Sequence, residues 1–278
     1  MSENKGTPAV PFSLDDNEMI ERMNLAERVQ HMVLVFSFLL LIITGLPLLF
    51  FSWKPMQLGF SNPFAYFFRG ILHRFAATVL IGLSAFHFFY SVFTRNGRKY
   101  IKDMFPQWKD ATDAFETFMH NIGFTRYLDR RGLGKDFFAR NPYWLFTDLP
   151  RLGRFDFRNK FEYWAVVWGT SVMILTGFFM WAVTFTLSHF PLWFYDLCRV
   201  IHSYEAILAF LAIIVWHMYN VHLNPDFFPM SKTWINGKIS LKHLRHHHFL
   251  EYEALLKERQ LRQGGASHSA TPSDPKPG

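Results

Sequence analysis

A single cysteine, Cys198, stands among 278 residues. That excludes an intrachain disulfide, a cysteine-ligated iron–sulfur cluster and a CxxCH attachment motif. A lone cysteine in an apolar stretch reads as a packing residue. The first 25 residues lack any apolar run, so no cleavable signal peptide is expected and the first apolar segment would serve as its own insertion signal. Charged residues make up only 18% of the chain, against about 25% in soluble domains. They are missing altogether from 29–53, 75–94, 163–195 and 206–225, windows of 25, 20, 33 and 20 residues. Each is long enough for the roughly 20 residues that carry a helix across a bilayer. The mean hydropathy of +0.04 hides this only because polar segments dilute it. Basic residues exceed acidic ones, 29 to 22, but they are spread over the flanks of these windows and form no single patch. A nucleic-acid partner is therefore not expected.

Half of the residues are hydrophobic and 19% are aromatic, 33 of them phenylalanine. The pattern predicts an all-α integral membrane protein, a four-helix bundle with spans at about 29–51, 71–94, 161–187 and 193–222, facing membrane lipid. Residues 1–22 are polar and acidic and read as a flexible segment, 23–260 as the membrane domain, and 261–278 as a disordered Ser/Pro/Gly-rich tail. Trp53, Lys54, Pro55, Asn62 and Pro63 mark the first connection as a turn. In the long loop 95–162, Ala111, Ala114, Phe115, Phe118, Met119 and Ile122 recur at helical spacing, an amphipathic helix expected on the membrane face. That loop carries 14 Lys and Arg residues and the segment after 225 carries eight, against three in 52–74 and one in 188–199. The positive-inside rule then places both termini and the long loop in the cytoplasm.

Six of the 13 histidines fall in or at the ends of spans: His31, His73, His87, His202, His217 and His222. Ionisable groups inside a bilayer are costly and normally functional. His202 and His217 are 15 residues apart, about 22 Å along a helix and only ~60° past four turns. His73 and His87 are 14 apart, about 21 Å and ~40° short of four turns. Two spans thus present two imidazoles each, one near either membrane surface. With both spans running inward, His73 matches His202 in depth on the outer side, and His87 and His31 match His217 on the inner side. Two flat sites reached by imidazoles from opposite sides suit six-coordinate haem iron. Zinc would draw its ligands into one sphere. Gly45, Gly82, Ala206, Ala209 and Ala212 thin the helices for a flat cofactor, and Arg28, Arg74 and Arg199 lie beside the ligand levels as candidates to neutralise propionates. Ile42-Ile43-Thr44-Gly45 in span 1 is echoed by Ile174-Leu175-Thr176-Gly177 in span 3, a small-residue pair of the kind that permits close approach. Glu205, one turn after His202, is unusual within a span. The His246–His248 run reads as surface residues of a basic tail.

The sequence resembles the di-haem cytochrome b subunits of membrane-bound formate dehydrogenases (gamma subunit) and nickel–iron hydrogenases, which are bacterial cytochrome b561-like. Arg28-Val-Gln-His31 with Thr44-Gly45, Ile71-Leu-His73-Arg74, Ile201-His202 and Trp216-His217-Met218-Tyr219 carry the likeness. Phe155 to Trp164 and Asn236 to Ser240 extend it, so that it covers about 20–260. The resemblance implies two haem b groups, one held by His73 and His202, the other by His31 and His217, with His87 an alternative inner ligand or a hydrogen-bonding neighbour. The family mostly shows a spacing of 14 where His202 and His217 are 15 apart, which implies a bulge or tilt. It also implies electron transfer between a periplasmic-side catalytic, iron–sulfur or multihaem cytochrome subunit and menaquinone or ubiquinone. The quinone site would lie at the cytoplasmic end of span 3, where Asp156, Asn159 and Lys160 match. Two other classes stay open at this point: a stand-alone cytochrome b561-type quinol or ferric reductase, and a colourless proton or solute carrier.

Overall fold

The computed structural model describes residues 15–50, 62–132, 152–223 and 228–269. Trp53, Lys54 and Pro55 lie outside them. Four helices are long and apolar enough to span a membrane: Leu25–Leu49, Pro63–Phe93, Phe157–Trp181 and the composite helix Leu192–Leu223. They are named α1, α2, α6 and α8 by their place in the chain. Between them lie α3 (Arg95–Met104), α4 (Trp108–Asn121), α5 (Phe124–Arg130) and α7 (Val183–His189). After α8 come α9 (Thr233–Asn236), β2 (Lys238–Ser240), α10 (Leu241–His247) and α11 (Phe249–Ser269), and the strand β1 (Met19–Glu21) precedes α1.

The chain divides into two compact units, and the four spans belong to the one made of Met23–Pro106 and Phe157–Gly237. Asn24 caps α1 by accepting from the Glu27 amide at 3.0 Å, while Glu27 returns the bond to the Asn24 amide. The Asn24 side chain also donates to Tyr90 Oη at 2.9 Å, tying the start of α1 to the end of α2. Asn62 caps α2 and Pro63 takes its first position, where a missing N–H costs nothing. This helix starts eight residues before the expected 71. Arg69 and Arg74 end the charge-free window, yet Arg69 is accommodated inside the bundle by donating to the Thr44 carbonyl at 2.8 Å. Helix α6 likewise starts at Phe157, short of the expected 161, and gives way at Ala182 to the separate helix α7. At the foot of α2 the chain turns into α3 so tightly that a Cβ on Gly97 would lie 2.1 Å from the Tyr90 carbonyl oxygen. Within the unit α1 packs on α2, α6 packs on α8, and α1 meets α8.

In α8 the hydrogen-bonding pattern changes from α to π over Ala212–His217 and again over Tyr219–Leu223. A π-turn takes up an extra residue, and this is the bulge that the 15-residue spacing of His202 and His217 requires.

The other unit contains the described residues of 1–22, 107–156 and 238–278. Here β1 pairs antiparallel with β2, Ile20 opposite Ile239. Ile239, Leu241 and Leu244 form a small core against Ile20, Tyr252 and Leu255. Arg22 pairs with Glu251, and Arg259 holds both Glu18 oxygens at 2.8 and 2.6 Å. Within residues 15–22, Met19–Glu21 are thus held by a ladder and Glu18 and Arg22 by ion pairs. Of the tail expected at 261–278, residues 261–269 continue α11 and residues 270–278 lie outside the described set. The amphipathic helix appears as α4, whose Trp108, Phe115 and Phe118 are exposed, as is Ile122 just beyond its end, while Asp113 is buried against Lys109 at 2.5 Å.

Candidate functional site

The chemistry-bearing histidines meet in pairs. The rings of His73 (α2) and His202 (α8) stand 6.5 Å apart between centroids, at 63°. Those of His31 (α1) and His217 (α8) stand 6.4 Å apart, at 44°. Two imidazoles bound through Nε2 to opposite sides of one metal ion, at about 2 Å each, would hold their centroids roughly 6.4 Å apart. Both pairs fit that spacing.

Hydrogen bonds settle which nitrogen each ring offers. The Thr44 hydroxyl gives its proton to the Leu40 carbonyl at 2.6 Å and lies 2.9 Å from His73 Nδ1. A hydroxyl has one proton, so Thr44 must accept from His73 Nδ1–H. Thr176 repeats the arrangement, donating to Val172 at 2.7 Å and accepting from His202 Nδ1–H at 2.9 Å. Nε2 is left with a free lone pair in both rings, the form a metal ion takes. The glycines that follow provide the room: a Cβ on Gly45 or Gly177 would approach Cε1 of His73 or His202 to 3.2 Å. The echo between spans 1 and 3 is thus a pair of seats, one on each odd-numbered span, for a histidine on the span that follows.

The His31/His217 pair is held differently. His217 Nδ1 donates to Glu162 Oε2 of α6 at 3.2 Å. His31 Nδ1 is buried without a partner, and its ring lies 6.0 Å from that of Trp234. His87 has both ring nitrogens engaged. Its Nδ1 lies 2.8 Å from Gln30 Oε1, and its Nε2 lies 2.9 Å from Tyr163 Oη. Gln30 Oε1 can only accept, so Nδ1 carries the proton and Nε2 accepts from the tyrosine.

Of the three arginines expected beside the ligand levels, Arg28 donates to the Ile235 carbonyl at 2.8 Å and keeps a buried Nε without a partner. Arg74 lies over the Trp181 ring at 5.7 Å, and Arg199 pairs with Asp196 at 3.2 Å. Sequence reasoning missed Arg69. It is 8% exposed, stacks over Tyr66, and has a buried Nε without a partner one turn before His73. It also missed Gln30, Tyr163 and Glu162, the last of them directly before the charge-free window 163–195. Asp156 and Lys160 are buried, at 5% and 6% exposure, and Asn159 is exposed. Asp156 belongs to one unit and the other two residues to the other. The carboxylate of Glu205 lies on Gly169 of α6, where a Cβ would come within 2.7 Å of it. No group of three or more His, Cys, Asp or Glu residues that would hold a metal ion exists among the described residues. His248 of the basic run is bonded to the Gly153 carbonyl at 2.8 Å.

Four membrane-spanning helices with imidazoles paired at two depths define a membrane cytochrome b, an electron-transfer subunit that carries haem b. The family model described as prokaryotic cytochrome b561 matches residues 22–230, and the chain belongs to that family. It is similar to the formate dehydrogenase cytochrome b556(fdo) subunit of Escherichia coli strain K12, 22% identical over 233 residues, covering 81% of this chain and 90% of that one. The subunits of the same name from E. coli O6:H1 and O157:H7 match to the same extent.

Proposed function

We propose that the chain binds two haem b groups, one between His73 and His202 and one between His31 and His217, and carries electrons between an outer-face redox subunit and the quinone pool. The observation that carries this reading is the pair of imidazole separations, 6.5 and 6.4 Å, on the same helix α8. Haem iron, when bound, supplies reversible one-electron transfer. The chain's own work is to fix the two sites at two depths and to set their environment. Thr44 and Thr176 hold His73 and His202 in the Nδ1–H form, Glu162 does so for His217, and the apolar spans exclude water. His87 serves as a brace between α1 and α6, since Gln30 and Tyr163 occupy both its nitrogens. Arg28 and Arg69, with buried nitrogens lacking partners, supply positive charge for propionates.

Both termini and the long basic loop lie in the cytoplasm in this reading, so the His31/His217 level is the inner one. A quinone, menaquinone or ubiquinone, binds beside it near Asn159 and Lys160 at the start of α6. Reducing it takes up protons, which reach the site from cytoplasmic water. The partner is a catalytic, iron–sulfur or multihaem subunit on the periplasmic side; the similar E. coli proteins are subunits of a formate dehydrogenase by name. The test is to reduce the purified protein and add a menaquinone analogue. Rapid reoxidation of both b-type absorbances is expected. A protein that stays reduced, or is colourless, contradicts the proposal.

A further inference from the structure

His202 and His217 lie on one helix, but the groups that receive their Nδ1 protons differ in kind. His202 gives its proton to a hydroxyl, Thr176 at 2.9 Å, as His73 does to Thr44. His217 gives its proton to a carboxylate, Glu162 Oε2 at 3.2 Å. The other oxygen, Glu162 Oε1, is buried and accepts no hydrogen bond. Among the described residues His217 is the only cationic or potentially cationic side chain paired with this carboxylate. The remaining inner ring, His31, has no acceptor at Nδ1.

The charges around the two levels differ in the same sense. Arg69 lies one turn from His73, with a single bond to the Thr44 carbonyl, and Arg74 follows His73 directly. Arg28 lies one turn from His31, and at that level the Glu162 carboxylate adds a negative charge beside His217.

We infer that Glu162 sets the reduction potential of the inner haem and holds it below the value a hydroxyl-held ligand would give. The inference rests on the reading of His217 as an inner ligand. A carboxylate draws the Nδ1 proton more strongly than a hydroxyl does, which makes the ring a more basic ligand. A more basic ligand and a nearby negative charge both stabilise ferric over ferrous iron, and hydrogen bonding to a ligand ring and burial are established levers on haem potential. The balance is a one-electron step, Fe(III) plus one electron giving Fe(II), supplied in the test by a redox mediator. Glu162 is thus a positioning residue that acts through His217. It makes the inner site the stronger reductant for quinone.

The experiment is an optical redox titration of the full-length protein in detergent, with haem content measured alongside. In the wild type two one-electron waves are expected, and His217→Ala should remove the inner one and so assign it. In Glu162→Gln both haems should remain and only the inner wave should move, to higher potential. At the wild-type inner midpoint, the ratio of reduced to oxidised inner haem should rise about tenfold, which for one electron corresponds to about 59 mV. An inner wave that stays or moves down, or two waves that rise together, overturns the inference. If Glu162→Gln loses a haem, Glu162→Asp is titrated instead. Its shorter side chain weakens the contact, so the inner wave should rise, and an unmoved wave overturns the inference equally. A wild type with one haem, or His217→Ala with two, defeats the underlying ligand reading instead.

Discussion

Thr44 accepts the Nδ1–H of His73 across the α1–α2 contact at 2.9 Å, with its own proton already given to the Leu40 carbonyl. The seat therefore works in one direction only. In Thr44→Val the ring would keep a buried donor with no acceptor. Outer-haem affinity should fall about 10–100-fold, the usual effect of losing such a partner, and Thr44→Ser should restore most of it. Transfer of haem to excess apomyoglobin measures this. Equal transfer rates for the valine variant and the wild type would show that the hydroxyl does not orient the ring. Thr176→Val should behave in the same way through His202.

Single-ligand variants separate the two levels. His73→Ala or His202→Ala should remove the outer haem, and His31→Ala or His217→Ala the inner one, each leaving one haem and an altered spectrum. His87→Ala should keep both, with some loss of thermal stability, because Gln30 and Tyr163 lose their shared partner. A His87→Ala chain that loses a haem while His31→Ala keeps both would reverse the inner assignment.

Asn159→Ala combined with Lys160→Ala should leave haem content unchanged and slow reoxidation by added quinone. Reoxidation at the wild-type rate would make these residues ordinary flanks of α6.

The unit built on β1, β2, α10 and α11 should loosen in acid. Burial, followed by the nearby Arg22 guanidinium, lowers the His248 pKa to about 4, only partly offset by its bond to Gly153. An exposed histidine titrates near 6.5, so the opened segment binds a proton that the folded one refuses. His248's contribution to stability is therefore full above about pH 6.5 and falls as the pH drops towards about 4. Proteolysis of 238–269 should accelerate across that window in the wild type, and much less in His248→Gln. Cleavage that is independent of pH would remove His248 from the account.

The spans were legible because bilayer solvation forbids charge, and gaps in Asp, Glu, Lys and Arg report that directly. Their ends were less legible where a charge is satisfied inside the bundle. Arg69 broke the window of α2 yet lies within it, bonded to Thr44. The two depths followed from helical rise, and the spacing of 15 announced the π-turns of α8. The echo of Thr44-Gly45 in Thr176-Gly177 was visible, but its purpose was not, because it depends on which span packs against which. Gln30, Tyr163 and Glu162 act only across helix contacts, and a single sequence carries no trace of such pairs. The ladder of β1 with β2 is three residues long, too short for a period to show.

The pairing of histidines at two depths is tested most directly by counting haems on the purified full-length chain. A pyridine haemochrome assay against quantitative amino-acid analysis should give two haem b per chain. One haem, or none, would contradict the account; three would require a further ligand set that includes His87.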